Sequence, residues 1–159
     1  LVSIFTECCT AVFFKSKTYK NKNIVPFFHL FIQFFNYQAA YKTVLYFYPK
    51  DNTPGCTAQA CNLNENLDYL SSKGFQVAGV STDSAKSHDK FITKYQLKFP
   101  LIADESHEIV EAFGVWVEKS MYGKSYMGIA RTTFVFDENG IITDIITKVD
   151  TKNHTEQIH

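Results

Sequence analysis

From Thr43 onward, apolar runs of strand length alternate with stripes of helical spacing, and that alternation admits few architectures. Thr43 to Tyr48 (TVLYFY) is a continuous run of β-branched and aromatic residues ended by Pro49, and reads as a buried strand. Cys56, Ala60, Leu63, Leu67 and Leu70 then fall on one helical face, which Gly74 ends. Phe75 to Ser81 (FQVAGVS) predicts a second strand. Asp83 or Ser84 can cap a helix with Phe91, Ile92 and Tyr95 on its inner side. Phe99 to Ala103 predicts a third strand, Asp104 a cap, and Ile109, Val110 and Phe113 the buried side of a brief helix closed by Gly114. Thr132 to Phe136 and Ile141 to Thr147 flank Asp137 to Gly140, whose Asn139-Gly140 pair is a hairpin signal. Strand, helix, strand, helix, strand, helix and hairpin build an α/β domain in which a mostly parallel sheet carries an antiparallel pair at one side. Ligands of such sheets bind beyond the carboxyl ends of the strands. The segment from Pro49 to Cys56 occupies that place.

At 159 residues the chain is one domain's worth of protein, and its 16 basic and 16 acidic residues leave no net charge. That balance gives no electrostatic basis for a nucleic-acid partner, because such binding needs clustered Lys and Arg. The balance hides an asymmetry, however. Residues 1–42 hold five lysines against one acid, Glu7, and eight of the 15 Phe, but none of the seven Gly. Phe, Lys, Asn, Ile and Tyr, the residues of AT-rich codons, dominate this stretch, and the chain opens on Leu1. The expectation is an atypical segment over 1–42 that is not native to the domain, followed by a domain over 43–159. Mapping the translation start tests it. A secretory signal places positive charge before its apolar run; here Leu1 to Phe14 precedes the lysines, and Pro26, His29 and Gln33 interrupt Ile24 to Phe35. A membrane role is therefore not expected, and the expected location is the cytoplasm. Four cysteines are too few for a disulfide scaffold, and the adjacent Cys8 and Cys9 lack a second pair at metal-ligand spacing.

The string Tyr48 to Cys61, YPKDNTPGCTAQAC, carries the chemistry. A cysteine in the first turn of a helix lies near unpaired backbone N–H groups and the positive end of the macrodipole, both of which favour the nucleophilic thiolate. Pro54 and Gly55 suit a tight loop entering that helix, and Thr53 offers a hydroxyl able to donate to a thiolate or to an oxygen bound beside it. Cys61 follows Cys56 by five residues. In an α-helix that spacing separates the Cα atoms by roughly 8 to 9 Å, whereas a disulfide needs them within about 7 Å. If the two pair, the first turns must unwind, giving an element that is helical when reduced and locally unfolded when oxidised.

Pro49, Thr53 and Cys56 match the Pro-x-x-x-Thr-x-x-Cys signature of peroxiredoxins, and Cys61 five positions on resembles the Q-type, or bacterioferritin comigratory protein, group. The likeness continues through Ser81-Thr82-Asp83, Phe113-Gly114-Val115-Trp116, Glu118-Lys119, Tyr122-Gly123, Gly128 and Arg131-Thr132-Thr133-Phe134, over about residues 43 to 158. The resemblance implies a thioredoxin-like fold, a central mixed β-sheet flanked by helices. It also implies a thiol peroxidase in which Cys56 is the peroxidatic cysteine, attacking hydrogen peroxide or an alkyl hydroperoxide to give a sulfenic acid. Cys61 is then the resolving cysteine, forming an intramolecular disulfide that a thioredoxin-type donor reduces. Thr53 and Arg131 bind the peroxide and polarise its leaving oxygen, Pro49 shields the site from water, and no metal or organic cofactor is needed. The protein is expected to act as a monomer. Two departures stand out: Val117 replaces the usual Gly after Trp116, and residues 1–42 lack the Gly-Asp-x-Ala-Pro-x-Phe segment. The carboxyl end reaches His159 about where a final helix is expected to begin, so the domain reads as C-terminally truncated.

Taken singly, each residue has a plainer reading. A lone cysteine on an apolar helical face is usually a small hydrophobe. Arg131, the chain's single arginine, could be a solvated strand-end charge, and Trp116 reads as packing. His88, His107 and His154 share no ligand spacing and are expected at the surface. The competing functions are a thioredoxin-like thiol-disulfide oxidoreductase, which would want Cys-x-x-Cys, and an inactive remnant.

Overall fold

The computed structural model describes residues 41–159. The expectations placed on residues 1–40, including Cys8 and Cys9, lie outside that range. Strand β1 (Lys42–Phe47) is followed by helices α1 (Pro54–Glu65) and α2 (Leu67–Ser72), strand β2 (Phe75–Ser81), helix α3 (Ala85–Tyr95), strand β3 (Leu101–Ala103) and helix α4 (Glu108–Ala112). Strands β4 (Trp116–Met121), β5 (Lys124–Ile129), β6 (Thr132–Phe136) and β7 (Ile142–Ile146) complete the strands, and a 3₁₀ helix spans His154–Gln157.

Five strands form one sheet in the order β3-β2-β1-β6-β7. The first three run parallel, while β6 is antiparallel to β1 and β7 antiparallel to β6. This is the thioredoxin-like arrangement. Period-two alternation divides β1 between two cores. Val44, Tyr46 and Tyr48 face Cys56, Ala60, Leu63 and Phe91, whereas Leu45 and Phe47 face Val110, Phe113, Phe134 and Phe136. Among the described residues no helix is long and apolar enough to cross a membrane.

Two elements differ from the sequence expectation. The single Leu stripe after Cys56 is broken at Asn66, whose side chain donates to the Asn62 carbonyl at 2.8 Å and closes α1, so that Leu67 is half-buried and Leu70 belongs to a separate short helix. Residues 116–129, which carried no assigned element, form the two-stranded hairpin β4–β5. Its turn places Tyr122 at φ 53° and Gly123 at φ 75°. At the other helices the capping holds for α3 and shifts for α4, whose N-cap is His107 at φ 65° and not Asp104. Ser84 accepts the Ser87 amide at the start of α3, and the Asp104 carboxylate accepts the Val110 amide at 2.8 Å beneath α4.

Candidate active site

The site lies where β1 ends. The Tyr48 amide still bonds the Val80 carbonyl at 3.1 Å; Pro49, which has no N–H to give, stops the ladder there. The chain turns through Asn52 at φ 56°, and Thr53 takes the extended conformation that lets Pro54 open α1 as its first residue. Cys56 therefore stands in the first turn, 1% exposed and packed in the core of that face. Arg131 comes from the far end of the sequence. Because β6 is antiparallel to β1, with Thr132 opposite Phe47, the residue before β6 is delivered to the carboxyl end of β1. Arg131 Nη2 lies 3.2 Å from Cys56 Sγ, and Nη1 donates to Gln59 Oε1. A guanidinium in that position offers a thiolate a charge-assisted donor and still carries further N–H groups.

Gln59 was not foreseen. It lies one helical turn after Cys56 and is fully buried, and that i,i+3 spacing was the available signal. Lys119, noted in the sequence without a role, donates to the Ile129 carbonyl at 2.5 Å, two residues before Arg131. Burial lowers its pKa, the Arg131 charge adds to that, and Cys56 opposes it, which marks Lys119 as a second cation of the same neighbourhood.

Thr53 differs from expectation in detail: its hydroxyl donates to the Lys50 carbonyl at 3.1 Å, tightening the loop, instead of pointing its proton at the sulfur. Cys61, half-buried and free like Cys56, sits in the uninterrupted α1. Burial, with Glu65 one turn on, pushes its thiol up, so that it rests protonated. Two histidines correct the sequence reading. His88 is 2% exposed and paired with Asp51 at 2.9 Å. His154 is fully buried, with Nε2 2.9 Å from Thr133 Oγ1 and Nδ1 3.2 Å from Gln157 Oε1. Burial lowers the His154 pKa, so it serves as a neutral hydrogen-bonding plug. The partners Asp51 and Thr133 lie 37 and 21 residues away, beyond what a local reading reveals. His107 is half-buried, its ring 4.4 Å from that of Trp116, which is packed as expected. Among the described residues no group of three or more His, Cys, Asp or Glu could hold a metal ion.

A buried cysteine at a helix start, faced by a guanidinium on a thioredoxin-like sheet, defines the class: a thiol enzyme. The comparisons specify it. The AhpC/TSA family model matches residues 32–145. The putative peroxiredoxin bcp of Coxiella burnetii is 45% identical over 117 residues, 74% of this chain and 78% of that protein. Peroxiredoxin Bcp of Escherichia coli is 44% identical, over 74% and 75%. The solved structure of Xanthomonas campestris bacterioferritin comigratory protein superposes with a TM-score of 0.71 at 39% identity, covering 77% of this chain and 78% of that one. The chain belongs to the AhpC/TSA family and is a peroxiredoxin of the Bcp, or Q-type, group, an antioxidant thiol peroxidase.

Proposed function

We propose that Cys56 is the peroxidatic cysteine and Cys61 the resolving cysteine of this enzyme. The observation that carries the reading is the 3.2 Å approach of Arg131 Nη2 to Cys56 Sγ. The thiolate attacks the outer oxygen of hydrogen peroxide or an alkyl hydroperoxide. The O–O bond breaks, sulfur takes that oxygen as a sulfenic acid, and water or an alcohol leaves once its oxygen gains a proton. Arg131 supplies donors already aimed at the place where charge develops on oxygen. With its own proton given to Lys50, the Thr53 oxygen presents lone pairs to the O–H of the arriving peroxide. Pro49 limits water at the loop. Cys61 sulfur then attacks the sulfenic sulfur and expels water, forming the disulfide; a thioredoxin-type dithiol returns two electrons and two protons and is itself oxidised.

Both cysteines lie within one continuous helix, at a spacing of roughly 8 to 9 Å between Cα atoms. Resolution therefore requires α1 to open. The test is peroxide consumption with a dithiol reductant. Cys56→Ser abolishes it, while Cys61→Ser completes a first turnover and accumulates an oxidised thiol that intact-mass measurement registers. Full activity in Cys56→Ser, or disulfide reduction without peroxide consumption, rejects the reading.

A further inference from the structure

The Pro49–Thr53 loop meets the body of the protein through a buried charge. Asp51, 6% exposed, accepts the Tyr48 hydroxyl at 2.8 Å on one carboxylate oxygen. The other oxygen accepts Ser87 Oγ at 2.6 Å and His88 Nδ1 at 2.9 Å. The Asp51 amide donates to the Asp83 carboxylate at 2.9 Å, which also takes Ser81 Oγ at 2.8 Å. One loop residue is thus tied to the ends of β1 and β2 and to the first turn of α3. His88 is held on its other side as well, with Nε2 3.1 Å from the Ile102 carbonyl of β3. A carboxylate and a carbonyl can only accept, so this geometry suits a His88 that carries a proton on both ring nitrogens, with the Tyr48 hydroxyl 3.4 Å from Nδ1. Without it, the loop would bury a carboxylate with neutral donors alone, which is a costly state.

We infer that Asp51 and His88 are positioning residues for the peroxidatic loop, holding Pro49 to Thr53 in the conformation that begins α1 at Cys56, and that loss of the His88 proton releases this hold. The inference rests on the role proposed for Cys56.

The groups facing His88 set the sign. Burial works against its cation. The hydrogen bond and charge of Asp51, the Ile102 carbonyl and the Asp83 charge outweigh burial and raise its pKa above the ordinary 6.5. Burial likewise raises Asp51, and the hydrogen bonds from His88, Ser87 and Tyr48 outweigh it, leaving Asp51 below 3.8. Tyr48, the remaining titratable neighbour, is pushed by burial far above its ordinary range and stays neutral. A raised histidine contributes fully below its unfolded pKa and is lost as pH rises through its folded one. A lowered aspartate contributes above its unfolded pKa and is lost as pH falls through its folded one. The hold is therefore a plateau with an acid edge set by Asp51 and an alkaline edge set by His88.

The test follows the His88 ring by NMR, and kcat/KM for hydrogen peroxide, against pH in the full chain. The expected result is a parent whose His88 titrates above its ordinary value, at the midpoint of an alkaline fall in kcat/KM. Asp51→Asn moves both to lower pH and lowers the plateau roughly ten- to hundredfold, the scale of a misplaced reacting group. His88→Gln lowers the plateau and removes that fall, whereas Ser87→Ala, which keeps the ion pair, retains it. Should the first two variants fail to fold, coincidence of the two midpoints in the parent and in Ser87→Ala decides. Non-coincident midpoints, an ordinary His88 titration, or a His88→Gln profile that superposes on the parent overturn the inference. Activity surviving in Cys56→Ser would overturn the peroxidatic assignment instead and leave the His88 titration readable.

Discussion

The two faces of the sheet bury different chemistry. Beneath α1 and α3 the interior mixes apolar side chains with Cys56, Gln59, His88, His154 and two tyrosines, threaded by the Asp51 ion pair. Beneath α4 the core is aromatic and aliphatic, and Phe47, Phe113, Phe134 and Phe136 form its centre, with Asp104 accepting the Val110 amide at its edge. Phe113 stands 5.0 Å, ring centre to ring centre, from both Phe47 and Phe134, in tilted and edge-on contacts. Such pairs add to the burial of area and leave no polar atom in need of a partner. One face therefore holds the fold together, while the other spends part of its stability on groups that are expensive to bury and chemically able to act.

Damage to the two faces should therefore be read out differently. Phe113→Ala, on the apolar face, should lower unfolding free energy by about 3 to 5 kcal/mol, as for other large-to-small changes in packed cores. Folded molecules should consume peroxide at the parent's rate. Urea unfolding and a second-order rate measured below the transition check the two halves. A rate that falls with stability breaks the comparison.

Arg131→Met is the converse. It removes the donor to Sγ and the partner of Gln59, and the reaction of Cys56 with peroxide should slow roughly 10²- to 10³-fold, about 2.7 to 4 kcal/mol, as when one preorganised donor is deleted. Arg131→Lys should recover little, because an ammonium cannot span Sγ and Gln59 with a planar fork. Rapid-quench mass measurement of Cys56 oxidation reports the rate. A loss under threefold in Arg131→Met would remove Arg131 from the chemistry and leave it a packing residue.

How far the sequence reached follows the same division. Continuous apolar runs located β1 and β2, which are buried on both faces, helical spacing located α3, and the Asn139-Gly140 turn located the β6–β7 hairpin, because burial and turn chemistry are what the local sequence records. The opening strand begins one residue earlier than expected, at Lys42, and the third spans Leu101–Ala103 instead of starting at Phe99. Cys56 was legible from its loop and helix, and the approach of Arg131 came from the resemblance. What stayed hidden was polar and long-range. His88 meets Asp51 across 37 residues and His154 meets Thr133 across 21, and no local pattern separates a buried, partnered histidine from a solvated one. The β4–β5 hairpin was missed for a backbone reason. Its turn puts a tyrosine in the left-handed region, which side chains with a Cβ rarely enter, so Tyr122-Gly123 does not signal a turn as Asn139-Gly140 does.

The smallest expected effect sharpens the comparison most. Tyr46 is fully buried on the reactive face, stacked 5.4 Å from Tyr48 and edge-on to Phe99 at 5.9 Å, and its hydroxyl has no hydrogen-bond partner among the described residues. Gly79 passes so close that an added Cβ would stand 2.8 Å from that oxygen, which explains glycine inside a strand. Burial, with the nearby Cys56 and Asp51, pushes the phenol well above its ordinary pKa, so it is neutral at any working pH and brings no charge to the site. An unpaired buried hydroxyl costs about 1 to 3 kcal/mol, and part of that returns when the group is removed without changing the ring. Tyr46→Phe should therefore stabilise the protein by up to about 1 kcal/mol and raise its melting midpoint by a few degrees. Calorimetry decides. A gain shows that the reactive face carries a polar atom the fold has not satisfied; a loss of similar size means that the hydroxyl has a partner, and that the polar side of the core is as fully bonded as the aromatic side is packed.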